Sequence, residues 1–236
     1  MATWQTSVVD VVKSALVEKV DRDHEETDKA FLRRRIVVVI TLVVGATLLG
    51  LSLSVEPGDS AFYALTLGLA AAWIVGGFAS GPLHLGRIRF NGSMRRPIIT
   101  PILTGLAASA VFVVGALIVR QIPPLADFTE NVLAHARFGS LALIVFITLL
   151  NGVAEEIFFR GALFAAIGRR KPVLISTIIY TVVTLASGNP MLAFAAITLG
   201  FVLALQRRAS GGILAPILTH VIWSTVMIFA LPPLFA

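Results

Sequence analysis

The chain has 236 residues, of which 57% are hydrophobic and 14% are charged, and it contains no cysteine. Soluble proteins carry about 25% charged residues, so this composition excludes an ordinary soluble domain, and the lack of cysteine excludes disulfide bonds and thiolate chemistry. The net charge of +6 does not indicate nucleic-acid binding, because the basic residues form short blocks between apolar segments, as in loops that fix a membrane topology.

The N-terminal segment, residues 1–35, holds seven of the thirteen acidic residues and has no long apolar run. Val9, Val12, Leu16 and Val20 fall near one face of a helix. We expect a cytosolic tail that is either a short amphipathic helix on the membrane surface or a solvated segment.

Seven apolar segments follow this tail. A membrane-crossing helix needs about 20 such residues. The segments are 36–55, 61–80, 98–119, 138–167, 172–187, 191–206 and 211–236. The fourth is too long for one straight span, whereas the fifth and sixth are short. We predict an all-α polytopic membrane protein with about seven transmembrane helices, in which residues 36–137 form an N-terminal group and residues 138–236 form a core with a polar site.

The basic residues alternate with the predicted spans. They precede the first span and separate the second from the third, the fourth from the fifth and the sixth from the seventh. These blocks are Arg33, Arg34 and Arg35; Arg87, Arg89, Arg95 and Arg96; Arg169, Arg170 and Lys171; and Arg207 and Arg208. The intervening loops contain few basic residues. This alternation predicts a cytoplasmic N-terminus and an extracytoplasmic C-terminus, and we expect the chain in the cell (plasma) membrane.

Four ionisable residues fall inside the last four predicted spans: Glu155, Glu156, Arg160 and His220. Such residues are costly in a bilayer and indicate function. Glu156 and Arg160 are four residues apart and share a helical face, whereas Glu155 is rotated by about 100° and needs a water or another helix as its partner. Ser224 shares a face with His220.

The depths of these residues are similar. At about 1.5 Å per residue, Glu155 lies about 21 Å from Arg169 and His220 lies about 18 Å from Arg208. The pattern is compatible with a structural ion pair and a structural histidine, but their matching depth and the unpaired glutamate favour one polar site.

Two segments carry a family resemblance. They read AEEIFFRGALFAAI at 154–167 and LALQRRASGGILAPILTHVIWS at 203–224. Together they resemble the CAAX protease and bacteriocin-processing family of intramembrane endopeptidases over about residues 138–230. The resemblance implies that Glu155 activates a water, that Glu156 and Arg160 support it, and that His220 polarises the scissile carbonyl. Our leading hypothesis is an endopeptidase in which His220, with Ser224, stabilises the oxyanion.

Two positions depart from the family pattern. The family has an aromatic residue followed four residues later by a histidine, whereas Thr184 follows Tyr180 in this sequence. Ser224 replaces the Asn or Asp of the last motif. A threonine cannot take a proton from water at neutral pH. The alternative function is therefore a catalytically impaired, immunity-like relative that binds a membrane peptide or partner. The hypothesis of a transporter has less support, because the sequence has only one cluster of ionisable residues within the spans and no visible repeat.

The expected partners are the lipid bilayer and a membrane-associated peptide or protein substrate, without nucleic acid. We expect no cofactor. Zinc is possible, since carboxylates and histidine are zinc ligands. It is not favoured, because the assignment of Glu156 to Arg160 leaves too few ligands for a closed site.

Overall fold

The computed structural model describes residues 8–20, 25–90, 92–138 and 140–235. In this part of the chain the elements are α1 (Val8–Val12, continued by a π-helix, Lys13–Val17), α2 (Asp28–Ser54), α3 (Ser60–Ser80), β1 (Ile88–Phe90), β2 (Ser93–Arg95), α4 (Ile99–Val119), α5 (Pro123–Arg137), α6 (Leu141–Glu155, continued by a second π-helix, Glu156–Leu163), α7 (Phe164–Ile167), α8 (Pro172–Leu185), α9 (Pro190–Ser210) and α10 (Leu214–Leu234).

Six of these helices are long and apolar enough to cross a membrane. They are α2, α3, α4, the continuous helix Leu141–Ile167, α9 and α10. The apolar helix α8 has only 14 residues and is the seventh. The prediction of an all-α polytopic membrane protein with about seven transmembrane helices is confirmed. The sequence did not predict the small antiparallel hairpin β1–β2.

The first and sixth spans are longer than predicted, because buried arginines belong to them. Helix α2 begins at Asp28, so the helix of the first span includes residues 28–35, which had been predicted to belong to the tail. Arg34 is 1% exposed; it pairs with Glu26 and donates to Ser80 Oγ at 3.1 Å. Helix α9 continues to Ser210 and includes the buried Arg207. Both residues had been predicted to flank a span.

One end of the bundle, the hairpin end, is formed by α1, the β1–β2 hairpin and the start of α2. The N–H of Arg87 donates to Ser210 O at 2.9 Å, and Arg35 Nε donates to Ala166 O at 3.1 Å. Residues 1–7 and 21–24 of the predicted tail lie outside the described residues. Val9 and Val12 of the predicted apolar face are exposed, whereas Leu16 and Val20 are partly buried.

Helix α5 covers the opposite end, the α5 end. The His135 ring nitrogens lie 3.0 Å from Asn131 O and 3.0 Å from Val55 O. The Asn189 side-chain amide donates to Phe128 O at 2.6 Å. Helix α8 begins at the hairpin end, after Lys171, and ends at Leu185, four residues before Asn189, which contacts α5. Its two ends therefore lie at opposite ends of the bundle despite its short length.

The core lies where α2 and α3 meet the π-helix that follows α6. Trp73 stacks on Phe158 with ring centroids 4.6 Å apart. A Cβ on Gly45 would lie 2.0 Å from the Trp73 ring, so glycine is needed for α2 to approach α3. This packing holds the π-helical segment at the centre of the bundle.

Candidate functional site

The π-helical segment Glu156–Leu163 carries two of the predicted site residues. All eight of its residues are buried, and Glu156 and Arg160 are 0% and 1% exposed. π-Helical stretches are rare and occur often at functional sites. The sequence did not predict this conformation.

Glu156 is the centre of a buried polar network. Its Oε1 accepts a hydrogen bond from Arg160 Nη1 at 3.0 Å, as the spacing had predicted. The same oxygen lies 2.9 Å from Nδ1 of His220 on α10. Its other oxygen, Oε2, is buried without a hydrogen-bond partner among the described residues. The structure thus joins α10 to the π-helix through one carboxylate.

Arg160 connects this network to α8 and α9. Its Nη2 donates to Gly200 O at 2.9 Å, and its guanidinium lies 4.5 Å from the centroid of the Tyr180 ring. Its own carbonyl accepts from Arg207 Nε at 2.6 Å. Sequence reasoning missed Gly200 and Arg207. The sequence carries no signal for either residue, because both contacts depend on how α9 faces the π-helix.

Glu155 has a different environment from its neighbour. Its side chain is partly exposed, and its Oε2 accepts a hydrogen bond from Tyr180 Oη at 2.5 Å. The ionisable side chains near it are His220, Glu156 and Arg160. The partner from another helix that the sequence required is therefore the phenol of Tyr180.

Thr184 and Ser224 lie one turn beyond Tyr180 and His220. The Thr184 hydroxyl donates to Tyr180 O in its own helix at 2.8 Å. Ser224 is buried on α10. The Trp223 ring lies 6.0 Å from the His220 ring, and its indole nitrogen has no partner among the described residues.

The site brings a partly exposed carboxylate next to a buried carboxylate–imidazole–guanidinium network. A carboxylate can take a proton from water, and an imidazole can donate to a developing oxyanion. Within the described ranges, no group of three or more His, Asp or Glu residues is arranged to hold a metal ion. The absence of a metal from the reaction stays a prediction.

Comparison with protein families gives one match. Residues 137–226 match the family described as "Type II CAAX prenyl endopeptidase Rce1-like". Neither the curated proteins nor the solved structures gave a match. The matched segment starts at the end of α5 and contains both sequence motifs and every predicted site residue. The C-terminal part of this membrane protein therefore matches the CAAX prenyl endopeptidase family, as its two motifs had indicated.

Proposed function

We propose that the protein is an intramembrane endopeptidase in which Glu155 activates the attacking water. Glu155 takes a proton from water, and the hydroxide adds to the carbonyl carbon of a peptide bond. The carbon–nitrogen bond then breaks, and Glu155 returns the proton to the leaving amine. The products are a carboxylate and an amine, so the reaction needs no other reactant.

His220 is proposed to stabilise the oxyanion, with Ser224 one helical turn away. Nδ1 of the ring faces Glu156 Oε1 at 2.9 Å. In the protonated ring, Nδ1–H donates to this carboxylate and Nε2–H remains to donate to the substrate. Arg160 holds the same carboxylate oxygen from within the π-helix, and so it orients the imidazole through Glu156. A fixed donor stabilises developing charge more than a mobile one.

The contrast between the two adjacent glutamates supports this proposal most. Glu156 is fully buried and binds Arg160 and His220, as expected of a structural partner. Glu155 is partly exposed, and within the described residues its only hydrogen bond is to the neutral phenol of Tyr180. Glu155 forms no salt bridge among the described residues, although Arg160 and His220 lie near it. A carboxylate kept in a membrane in this way is better explained by chemistry than by stability.

A cleavage assay tests the proposal. The protein would be reconstituted in liposomes with a prenylated peptide that ends in a CAAX sequence, the substrate class named by the family, and with a set of single-span peptides. Products would be identified by mass spectrometry. We expect Glu155→Gln to abolish cleavage while the melting temperature stays equal or rises, because glutamine keeps the shape but cannot accept the proton.

Glu56→Gln is the matched control, since Glu56 is an exposed carboxylate in the loop after α2. It should cleave like wild type. Cleavage that survives Glu155→Gln would disprove the mechanism. A folded wild type that cleaves none of the peptides would favour the second function below.

The second candidate function is a non-catalytic relative that binds a membrane peptide or partner. Thr184 favours it, because its hydroxyl is hydrogen-bonded to the carbonyl of Tyr180 and cannot replace the proton chemistry of a histidine. A binder should retain cross-linking to its peptide after Glu155→Gln and release no product. Thr184→His should raise cleavage if the rest of the site is competent.

We propose a metal-independent reaction. His220 Nδ1 and Arg160 Nη1 both contact Glu156 Oε1. Of the three candidate zinc ligands, Glu156 and His220 are therefore already hydrogen-bonded to each other. We expect a chelator to leave cleavage unchanged. Loss of cleavage with a chelator, restored by zinc, would contradict this proposal.

We also propose a plasma-membrane location with the N-terminus in the cytoplasm and the C-terminus outside. The basic blocks of the sequence lie at the hairpin end, where arginines are expected on the cytoplasmic side. A reporter fused after Ala236 should be active only outside the cell, and one fused to the N-terminus only inside. Reporter activity on the opposite sides would show that the orientation is the reverse of the one proposed.

A further inference from the structure

We propose that Tyr180 is the positioning residue of Glu155, and that its phenol replaces the orienting contact that Thr184 cannot make. This inference rests on the proposed role of Glu155 as the base. It concerns the atom that fixes the carboxylate, which the family motifs do not supply at this position: Tyr180 stands where they require only an aromatic ring.

The hydrogen bond from Tyr180 gives the two carboxylate oxygens of Glu155 different roles. Tyr180 Oη donates to Glu155 Oε2 at 2.5 Å. Within the described residues, Oε1 accepts no hydrogen bond and is the oxygen available to a water. A carboxylate held by one oxygen keeps a fixed direction for the other, and fixed direction is what a general base needs in order to act.

The Tyr180 ring is held in place from three sides. The Phe159 ring lies at a centroid distance of 4.6 Å, and the Arg160 guanidinium lies 4.5 Å from the ring centroid. On the third side is Gly200, where an added Cβ would lie 2.9 Å from Tyr180 Cδ1 and 3.1 Å from Arg160 Nη2. Glycine at 200 therefore makes room for both side chains, and the phenol has little freedom to leave Glu155.

Thr184 is already committed within its own helix. Its hydroxyl donates to the Tyr180 carbonyl at 2.8 Å, so it braces the backbone of Tyr180. The Thr184 hydroxyl therefore contacts the backbone of Tyr180, and only the Tyr180 phenol contacts Glu155. A hydrogen bond to a charged group contributes about 1.5–3 kcal/mol, which corresponds to about 10- to 100-fold in rate if it is lost in the transition state.

The test uses the only two tyrosines of the chain. Tyr180→Phe removes the phenol of the site, and Tyr63→Phe removes a phenol that donates to Phe138 O at 2.7 Å outside the site. In the cleavage assay we expect Tyr180→Phe to lower kcat by about 10- to 100-fold with little change in KM. Tyr63→Phe should leave both parameters unchanged.

Thr184→His supplies a second arm. If Tyr180 replaces the missing orienting group, Tyr180→Phe should cost less than about threefold in the Thr184→His background, because the histidine then takes over; non-additivity of this kind marks a shared role. An equal loss in both backgrounds would overturn the replacement, and an unchanged kcat in Tyr180→Phe would overturn the positioning role.

A third arm separates this inference from the proposed function. Carbodiimide modification of Glu155, followed by mass spectrometry of its peptide, requires no substrate. We expect Tyr180→Phe to raise the modification rate severalfold, because it uncovers Oε2, whereas Tyr63→Phe should match wild type. Absence of cleavage in wild type with this increase would reject the endopeptidase and keep the contact. Equal rates in the two variants would reject the contact itself.

Discussion

The two halves of the membrane bundle satisfy their buried polar groups differently. In α2–α4 the buried hydroxyls return to their own helices: Thr41 donates to Val37 O, Thr66 to Phe62 O and Ser109 to Gly105 O. In α6–α10 the principal bonds cross between helices, as Glu156 to His220 and Tyr180 to Glu155 do. Polar bonds between helices are thus concentrated in the second half, although Arg34 on α2 also donates to Ser80 on α3.

The difference predicts that the two halves tolerate substitutions differently. A hydroxyl bonded within its helix fixes no neighbouring helix, so the core contact between α2 and α3 is set by shape, as Trp73 against Gly45 shows. A bond between helices fixes their rotation, and a charged group that lost its partner there would be stranded in a dry environment. The polar half is therefore less tolerant of substitution, and the following predictions test that difference.

Arg160→Ala should have the largest effect on stability. It removes one of the two partners of Glu156 Oε1 and the donor to Gly200 O, and leaves His220 as the remaining partner of the buried carboxylate. Breaking a buried ion pair typically costs about 3–5 kcal/mol. Thermal unfolding in detergent would measure the loss, with Arg120→Ala, which lies at an exposed position after α4, as the control. Combining Glu156→Gln with Arg160→Met should recover much of it. An Arg160→Ala protein as stable as wild type would show that the ion pair is dispensable.

Gly45→Ala tests the packing contact between α2 and α3. The added methyl would lie 2.0 Å from Trp73 Cη2, whereas a Cβ on Gly68 meets nothing within 4 Å. Overpacking of a rigid ring costs up to about 3 kcal/mol. The melting temperature should fall for Gly45→Ala and stay constant or rise for Gly68→Ala. Equal melting temperatures for the two variants would mean that α2 can shift away from α3 without cost.

A pair of threonine-to-valine variants compares the halves directly. Thr219 accepts from Gln206 Nε2 at 2.9 Å and donates to Pro101 O at 2.9 Å, so valine leaves the Gln206 amide unpaired at a cost of about 1–2 kcal/mol. Thr41 only donates within its helix, and valine there should change stability by about 0.5 kcal/mol or less. Chemical denaturation of both variants measures the loss in the free energy of unfolding. Equal losses would contradict the difference between the two halves.

The smallest expected effect concerns pH at the hairpin end. The hydrogen bond from Arg34 lowers the pKa of Glu26 below its ordinary value of 4.5. Because the folded-state pKa is lowered, the stabilisation is present above pH 4.5 and is lost as the pH falls through the folded-state value. Melting temperatures measured from pH 6 to pH 3 should therefore fall more steeply for wild type than for Glu26→Gln.

Glu25→Gln is the control for this measurement, because Glu25 is the exposed neighbour of Glu26. It should keep the wild-type slope. If the melting temperatures of Glu26→Gln and Glu25→Gln depend on pH with the same slope, the Glu26–Arg34 pair does not stabilise the protein in solution.

The fold was largely predictable, because long apolar runs and alternating arginine blocks define spans without any tertiary information. The errors fall on arginines. Arg34 and Arg207 look like flanking residues in a sequence, but they are buried through Glu26 and the carbonyl of Arg160, respectively. Partners of this kind depend on how helices face each other, and hydropathy carries no information on that.

The site was predictable as a set of residues and a common depth, but not as a network. Helical spacing gave the Glu156–Arg160 pair. It could not give the Glu156–His220 or Glu155–Tyr180 bonds, which depend on the rotation of α10 and α8. The π-helix from Glu156 to Leu163 also changes the angular spacing that a 3.6-residue repeat assumes.

The short length of α8 has a consequence for the surrounding lipid. Its 14 residues span about 21 Å, whereas the hydrocarbon layer is about 30 Å thick. Leu174, Ile178, Val182 and Leu185 are each about half exposed along one side of this helix, so acyl chains cover that side. A span this short is accommodated by a thinner bilayer or by snorkelling of flanking residues such as Lys171, and a thinner bilayer would lie beside the helix that carries Tyr180. Lipids with shorter acyl chains match this face better, and membrane thickness thereby becomes a variable that acts on the contact between α8 and Glu155.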